Sequence, residues 1–433
     1  MTARLTAALL FISSVAQAAE ITRVASSFEP NDPFGMFADV TFLYTGHDAK
    51  ITREWYQDNA SADVTELRYK MQEYRLNADV HLGIFRDLEL HFGISYIFAQ
   101  NRQWGFADGT DTTNSTILNN CLQANGEPLG GNAMTRCGAG QQRALFPFDP
   151  NTGASSYRSG LADLTFGIAW APLNQKKDDA SATWVLGFDY FAPVATAIDA
   201  SVPTTDTSRG AVGDKVHRYK WYTAISKRIG FADPYFSLHY TLPWRASGFY
   251  SNCDNPSAER MARPENCADG ANWNRDTTGT IPSHVGGFIF GSEFNMFESA
   301  NKHQKIALDL RGSVTYISEG RYFNEMSDLF GKLLYTGDYF QLGVRAGLVG
   351  HAAEFIHLKV WGELAYNTEH MLTSENIGKD FSGDGQVNLP GSPMAAAPEV
   401  SPNFDYRIDR VGRRFRIEEM FVMRGFIQVS FSF

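Results

Sequence analysis

The final segment of the chain alternates two kinds of side chain. One face carries Phe421, Met423, Gly425, Ile427, Val429, Phe431 and Phe433, and the other carries Val422, Arg424, Phe426, Gln428, Ser430 and Ser432. A side-chain period of two predicts a β-strand with one apolar and one more polar face. The terminal aromatic ring suits a membrane boundary. The chain is therefore expected to build a sheet with lipid on one side and water on the other.

The N-terminal segment has the pattern of a secretory leader. Arg4 precedes the apolar run Leu5–Val15, and Ala16-Gln17-Ala18-Ala19 follows it. This pattern predicts export and leader cleavage after Ala18 or one residue later, and we assign 1–19 to the leader. The alternative, a membrane anchor, is disfavoured because the run is too short to span a bilayer as a helix. Residues 20–33 are interpreted as a periplasmic lead or as a plug in the lumen.

Twelve segments share the alternating pattern. They lie near 34–48, 70–85, 88–104, 157–173, 181–195, 215–229, 234–246, 283–298, 304–320, 335–349, 355–370 and 413–433. Short and long connections between these segments alternate along the chain, and the longest are near 105–156, 247–282 and 371–412. This one-sided bias is typical of transmembrane barrels, with short periplasmic turns and long extracellular loops. A soluble sandwich would not show it.

The predicted fold is therefore all-β. It is an antiparallel up-and-down transmembrane barrel over 34–433, with about 12 strands (10–14 fit) and both termini in the periplasm. A mean hydropathy of −0.27 and the lack of a second long apolar run argue against helical membrane spans. Tyrosines and tryptophans toward the strand ends are expected to form interfacial girdles, among them Tyr96, Trp104, Trp170, Trp184, Tyr240 and Trp244.

Each predicted strand concentrates its charges on one face. A charge facing lipid at the bilayer midplane costs roughly 2–4 kcal/mol, so this face is assigned to the lumen. The predicted lumen-lining residues are Asp39, Arg75, Asp79, His81, Glu89, His91, Asp163, Asp189, Glu293, Asp309, Arg311, Arg345, Lys359, Glu363 and Arg424. Their signs are nearly matched. Two interpretations stay open: a salt-bridged interior that fills a narrow barrel, and a polar route for solutes.

Four cysteines fall into two pairs within loops, Cys121 with Cys137 and Cys253 with Cys267. Oxidising conditions outside the cytoplasm allow disulfides, and proximity favours these two local bridges among three connectivities. Each would stabilise the fold by roughly 3 kcal/mol in the chain-entropy model. Metal binding is disfavoured because no C-x-x-C spacing occurs.

The loop 380–388 carries a calcium-like motif. Asp380, Ser382, Asp384 and Gly385 match the start of an EF-hand loop, but Gly391 occupies the position of the bidentate glutamate. A calcium ion would bind weakly or would need a carboxylate from elsewhere. The other interpretation is an acidic, glycine-rich turn. No other cofactor is predicted.

The net charge and the sequence motifs limit which classes of partner and activity are expected. The net charge of −10 argues against nucleic acid. One basic cluster is a candidate contact for lipopolysaccharide phosphates. It consists of Arg407, Arg410, Arg413, Arg414 and Arg416. The alternative is that these side chains are simply solvated at the rim of the barrel. No hydrolase, metalloprotease or phosphate-loop motif is present. Because His81, His91, His239 and His357 fall on the lumen face, a lipid-facing catalytic site is not expected, and the chain is predicted not to be an enzyme.

Two resemblances add to these patterns. The last strand resembles the C-terminal strand of Gram-negative outer-membrane barrels, which implies an outer-membrane location and makes Phe433 a signal for the barrel-assembly machinery. Ser159–Gly167 and Trp184–Val194 resemble the outer-membrane transporter family linked to aromatic-compound (phenol meta-pathway) degradation. The resemblance implies transport of a small-molecule solute. This chain departs from the family at Val194–Ala197, which leaves the substrate class open.

The sequence thus predicts a passive outer-membrane channel for small solutes with a narrow polar lumen. One alternative is a closed barrel that acts as a scaffold or receptor through its disulfide-tied loops. The other is an outer-membrane lipid-modifying enzyme.

Overall fold

The computed structural model describes residues 19–26, 35–57, 60–120, 143–257, 260–261, 263–267, 272–299, 304–353, 355–388 and 399–433. The strands are β1 (Met36–Gln57), β2 (Ala60–Phe85), β3 (Leu88–Phe106), β4 (Ala154–Leu161), β5 (Leu164–Leu173), β6 (Thr183–Ala192), β7 (Val216–Ser226), β8 (Ala232–Arg245), β9 (Val285–Ser299), β10 (Gln304–Ile317), β11 (Gly320–Tyr322), β12 (Leu334–Thr336), β13 (Tyr339–Ala353), β14 (Ile356–Asn367), β15 (His370–Met371) and β16 (Phe415–Ser432).

Helical structure in these ranges is short. The α-helices are α1 (Arg275–Thr278) and α2 (Ser327–Phe330), and the 3₁₀ turns are Glu20–Thr22, Asn252–Asp254 and Pro264–Cys267. None of the described helices has the length and apolar character needed to cross a membrane.

The sheet closes on itself. Neighbouring strands are antiparallel, and β1 pairs with β16 from Phe37↔Ser432 to Arg53↔Phe415. Both β4 and β5 pair with β3, so the two form one wall strand with a break at residues 162–163. The wall therefore has twelve strands, with β11, β12 and β15 outside the count. The predicted barrel and its strand number are confirmed, and closure leaves no exposed sheet edge.

The two ends of the barrel differ. Short connections such as 86–87 and 227–231 lie at one end, where Phe433 N–H also donates to Met36 O over 2.8 Å. At the other end, long connections join β3 to β4, β8 to β9 and β15 to β16. We call these the turn end and the loop end. The first and last strands thus begin and finish at the same end, as an even strand count requires.

Two segment boundaries were predicted wrongly. The sequence placed a connection near 49–69, but β1 continues to Gln57 and β2 begins at Ala60. Here the inward residues Ile51 and Leu67 are fully buried, because loops pack against this tall part of the wall. Residues 334–336 form β12 of a separate hairpin, so the next wall strand begins only at Tyr339.

The outward face is an apolar belt. Its exposed side chains include Phe42, Val80, Phe92, Ile94, Phe166, Ile168, Leu186, Phe236, Leu238, Phe290, Leu310, Leu342, Val360, Met423 and Ile427. Trp170, Trp184, Tyr240 and Trp244 are also exposed, as expected for girdles. Trp104 was predicted wrongly as a girdle residue. It is only 1% exposed and its indole N–H donates to Glu325 O over 3.0 Å, because β3 runs past the belt into the loop end.

Candidate functional site

The inward face carries charge networks that run along the wall. Arg345 Nη2 lies 2.8 Å from Glu363, and Arg424 bonds the other oxygen of the same carboxylate. These residues stand directly opposite one another on β13, β14 and β16. Their pairing therefore neutralises charge between adjacent strands and does not bridge the barrel.

A second network follows the wall on the other side. Glu89 Oε1 accepts bonds from His81 (2.6 Å) and His91 (3.1 Å), and His91 Nε2 reaches Asp189 over 2.9 Å. Lys220 Nζ lies 3.1 Å from Asp189 and is the last member of this network. All these groups lie on β2, β3, β6 and β7, so this network also stays on the wall.

The remaining predicted lumen residues share this inward face. Asp39 accepts a hydrogen bond from Gln428 (2.6 Å). Four ion pairs follow: Arg75 with Glu73 (2.8 Å), Asp163 with Arg218 (3.2 Å), Arg311 with Asp309 (2.5 Å) and Glu293 with Lys305 (3.9 Å). Asp79 is half-buried and has no partner among the described residues. The structure thus gathers the predicted set on one face. Whether a solute contacts these groups stays a prediction.

A segment that belongs to no wall strand crosses the turn end of the lumen. We call residues 19–26 the inner strap. Its hydrogen bonds reach β3, β7, β9 and β16: Ala25 N–H donates to Glu89 (2.6 Å), Thr22 Oγ1 bonds Ser226 (2.6 Å), Glu20 N–H donates to Glu293 (2.7 Å) and Arg23 donates to Ser432 (3.0 Å). These strands are spread around the circumference, so the inner strap obstructs the lumen.

An ion pair adds a fifth anchor. The Glu20 carboxylate lies 2.5 Å from Lys359 Nζ on β14, and the Arg23 guanidinium stacks 4.0 Å above the Phe37 ring. Gly83 makes room for the strap, since a Cβ there would stand 3.0 Å from the Ser26 backbone. Of the two interpretations of 20–33, the described part fits a plug, and residues 27–33 lie outside the described residues.

Two inward clusters contain enough ligand atoms for a metal ion. Glu20, His351 and His357 form one, and His81, Glu89 and His91 form the other. In the first, the two imidazole rings are stacked, with centroids 3.9 Å apart and an interplanar angle of 4°. Their in-plane lone pairs therefore run parallel and do not converge on one ion, and Lys359 already pairs with the carboxylate. In the second, Glu89 Oε1 is shared by both histidines. Both clusters are therefore better described as hydrogen-bonded wall charges.

The loop end is closed by a second inserted segment. Residues 318–338, which contain β11, α2 and β12, form what we call the loop insert. Phe323 lies between the Arg102 and Arg158 guanidinium groups at 4.5 and 4.3 Å, and Asp328 pairs with Arg158 over 2.6 Å. The insert is thus held against β3 and β4.

Apolar packing dominates this closure. Met326, Leu329, Phe330 and Leu334 of the loop insert join one buried cluster with Ile51, Leu67, Tyr69, Trp104, Ile117, Phe146, Leu372, Ile408, Phe415 and Ile417. Phe330 contacts Phe146 and Phe415 edge to face, with centroids 5.1 and 6.1 Å apart. The inward surface of the tall wall is therefore apolar, unlike the charged surface nearer the turn end.

Buried polar groups join the long loops to one another. Arg321 makes two bonds to Glu375 (2.6 and 2.7 Å), and Asn252 bonds both backbone groups of Leu333. Asp409 accepts N–H groups from Glu375 and Asp405. Burial raises the pKa of Asp409 to about 7. At Asp405 burial is outweighed by the Arg407 guanidinium and Lys332, which hold the pKa of that carboxyl below its usual range.

Cys253 and Cys267 form a disulfide in the loop between β8 and β9, so that predicted bridge is confirmed. Cys121 and Cys137 lie outside the described residues.

The calcium-like loop is held by its own backbone. Asp380 accepts the N–H groups of Gly383 (2.6 Å) and Gly385 (2.7 Å), and these bonds, that of Gly385 foremost, lower its pKa. Glu399 accepts from Ser382 (2.7 Å) and Asn388 (2.6 Å). A carboxylate from elsewhere is thus present, but backbone donors occupy it. Ser382 and Asp384 are exposed and bond Asn388.

Most of the predicted basic cluster is paired internally. Arg407 bonds Asp405 (2.7 Å), Arg414 bonds Glu54 (2.8 Å), Arg416 bonds Glu418 (2.6 Å), and Arg413 stacks on Trp55 (4.0 Å). Arg410 is exposed. Contact with lipopolysaccharide stays a prediction, as does the assembly role of Phe433, which is exposed at the turn end.

The sequence allowed a plug over residues 20–33, but it did not single out the side chains that close the barrel. Glu20 and Arg23 carry no strand pattern, and Phe323 and Met326 lie in a connection whose composition resembles any loop. Trp361, which lies 5.4 and 5.3 Å from the Arg311 and Arg345 guanidinium groups, was also missed. Only the alternation of β14 pointed to it.

The chain is a twelve-stranded transmembrane β-barrel: the sheet is closed, its outer face is apolar and its inner face is charged. No protein-family model and no curated protein matches it. Similar solved structures include an outer membrane channel from Pseudomonas putida F1, at 10% identity over 94% of this chain and 100% of that chain, TM-score 0.42. A Pseudomonas aeruginosa FadL homologue has 9% identity, covers 92% and 90%, and has a TM-score of 0.34. The outer membrane protease OmpT from Escherichia coli has 7% identity, covers 95% and 100%, and has a TM-score of 0.29.

Proposed function

We propose that the chain is a gated channel of the bacterial outer membrane that passes small polar solutes. The observation that carries this proposal is the contrast between wall and closures. The lumen charges pair along the wall, whereas the obstruction comes from the inner strap and the loop insert, which are not wall strands. A closure of this kind can leave the lumen while the barrel stays folded.

The electrostatics support a weakly selective path. Each network combines both signs, as in Arg345–Glu363–Arg424 and Asp189–Lys220. A lumen of one sign would favour one class of ion, whereas alternating charges favour neither strongly. Polar solutes would exchange water for these groups at little net cost. No catalytic step is part of the proposal.

Single-channel recording on four matched chains tests the proposal. They are the wild type, a deletion of residues 20–26, a replacement of 318–338 by Asn-Gly, and the combination. Ile317 and Tyr339 are directly paired, so a two-residue hairpin can replace the loop insert. Deletion of the exposed Asp178 and Asp179 is the control.

We expect brief openings in the wild type and the control, longer ones in each single variant, and steady conductance steps with weak ion selectivity in the combination. A combined variant that is folded by heat-modifiability but electrically silent would refute the channel. The second candidate, a closed scaffold that presents the disulfide-tied loop, would then gain support. It rests on the fully buried Met326, Leu372 and Phe415, which make the loop end a rigid surface.

A further inference from the structure

A row of buried acids faces the inner strap at the turn end. Asp233 on β8, Glu293 on β9 and Asp309 on β10 stand directly opposite one another in the sheet register. All three are 0% exposed. Like charges placed opposite each other on neighbouring strands are destabilising, and buried charges require partners. Each acid in the row therefore needs either a positive partner or a proton.

The described side chains supply only two cations by direct pairing. Arg311 bonds Asp309 over 2.5 Å, and Lys305 Nζ lies 3.9 Å from Glu293 Oε2. Asp233 receives an amide bond from Asn295 (3.2 Å). Within the described part, Glu293 Oε2 accepts no hydrogen bond. Lys359, the remaining nearby ammonium, is taken by Glu20.

The start of the inner strap lies against Glu293, the acid whose second oxygen accepts no hydrogen bond within the described part. Glu293 Oε1 accepts the backbone N–H of Glu20 over 2.7 Å, and Ala19 is fully buried beside it. The leader pattern predicts cleavage after Ala18 or Ala19. A peptide N–H is neutral with one donor, but cleavage converts the nitrogen of Ala19 or Glu20 into an ammonium with three donors. Cleavage after Ala19 would place this charge on the nitrogen that bonds Glu293. Cleavage after Ala18 would place it one residue away, and consecutive Cα atoms are about 3.8 Å apart.

We propose that Glu293 is the receptor for the α-ammonium of the processed chain, so that leader removal creates the charge that seats the inner strap. Hydrolysis of one peptide bond by a leader peptidase consumes one water and yields the leader carboxylate and this amine. In the unprocessed chain, Glu293 lacks its counter-charge and the strap is held less tightly. This assignment does not rest on solute passage.

The test begins with protein exported from its full-length gene and purified as a folded barrel. Mass spectrometry should show a chain that starts at Ala19 or Glu20. An amine-reactive acetylating reagent is then applied near pH 7, where α-amines react ahead of lysines because their pKa is about 8 and not about 10. We expect the α-amine of the folded barrel to react about 100-fold more slowly than that of the heat-unfolded chain.

Glu293→Gln should lose at least about tenfold of this protection, since the amide keeps one acceptor but no charge. The matched control is Glu298→Gln on the same strand, whose partner is Arg228 at 2.5 Å; it should keep the protection. Three outcomes would overturn the proposal. The α-amine could react equally fast in folded and unfolded wild type, Glu293→Gln could keep the full protection of the wild type, or the mature chain could start at another residue.

If Glu293→Gln does not fold, a refolded chain with Gly-Ser-Gly-Ser ahead of Glu20 replaces it, because the extension moves the α-ammonium away from Glu293 and leaves Glu293 intact. Hydrogen exchange at residues 20–25 should then be about tenfold faster than in the exported protein. Unchanged exchange would refute the pairing. None of these readouts involves conductance, so the channel and this assignment can fail separately.

Discussion

The two closures of the barrel use different physical interactions. The inner strap is held by single polar contacts to five strands, among them Glu20–Lys359 and Ala25–Glu89. The loop insert is held by a buried cluster that includes Met326, Phe330 and Phe415. The turn end is therefore closed by charge and the loop end by apolar packing.

This difference indicates which closure can open. A buried ion pair roughly balances its desolvation cost, so the inner strap is expected to be only marginally stable in its site. Apolar burial contributes about 25 cal/mol per Å² with no such penalty. The loop insert should therefore leave only by local unfolding. A change in charge at Lys359 should therefore act on the inner strap, and a change in packing volume at Phe330 should act on the loop insert.

Lys359→Met is expected to have the largest effect. It leaves the buried Glu20 carboxylate with only the more distant Arg23 guanidinium, at 3.8 Å, and breaking a buried pair costs up to about 3–5 kcal/mol. Hydrogen exchange should lose protection at residues 20–25 and keep it at 326–334. Lys50→Met is the control, because its pair with Glu419 is solvent-exposed and such pairs contribute little to stability. Loss of protection at both ends would show that the closures are not independent.

Phe330→Ala should produce the converse pattern. The ring is buried between Phe146 and Phe415, and its loss costs about 3 kcal/mol, the low end for Phe→Ala because a loop can partly relax. Proteolysis and exchange should increase at the loop end only. Val411→Ala, at 76% exposure, should change nothing. An inner strap released by Phe330→Ala would contradict the separation.

The sequence predicted the wall because a strand with unlike faces must alternate. Parity alone distinguishes Leu310 from its neighbours Asp309 and Arg311, and the structure places Leu310 outward and the two charged residues inward. The registers that bring Asp233, Glu293 and Asp309 into one row depend on turn lengths, which alternation leaves undetermined.

The closures could not be predicted in the same way. Thr22 and Ala25 are buried by strands far away in sequence, and no local pattern records such contacts. Phe323 and Met326 are apolar residues in a long connection, where a lumen insert and a surface loop have similar composition. The long β1–β2 hairpin was missed because its inward residues face loops and not water.

Removing the disulfide tests how much of the stability of the loop end comes from cross-linking and how much from packing. Cys253–Cys267 closes a loop with a sequence separation of 14, and removing it by a double Cys→Ser change should destabilise that loop by about 3 kcal/mol in the chain-entropy model. Exchange should increase at residues 251–255 and 263–267. Because Asn252 bonds Leu333 in the loop insert, a smaller increase is expected there. An effect at residues 20–25 would be unexpected, and mild reduction of the wild type should reproduce the variant.

The smallest expected effect is a pH dependence confined to the loop end. Burial raises the pKa of Asp409 to about 7, whereas an unfolded aspartate titrates near 3.9. Between these values the unfolded loop releases its proton and the folded loop keeps it, so stability falls as pH rises and becomes level above about 7. From about pH 5 to about pH 7 the loss is about 2 kcal/mol, because the slope of about 1.36 kcal/mol per pH unit decreases as the pH approaches 7. Exchange at residues 404–409, corrected for its intrinsic pH dependence, should show this slope. Asp409→Asn should remove it, because the substituted side chain has no proton to release; a slope that survives the substitution would assign the titration to another group.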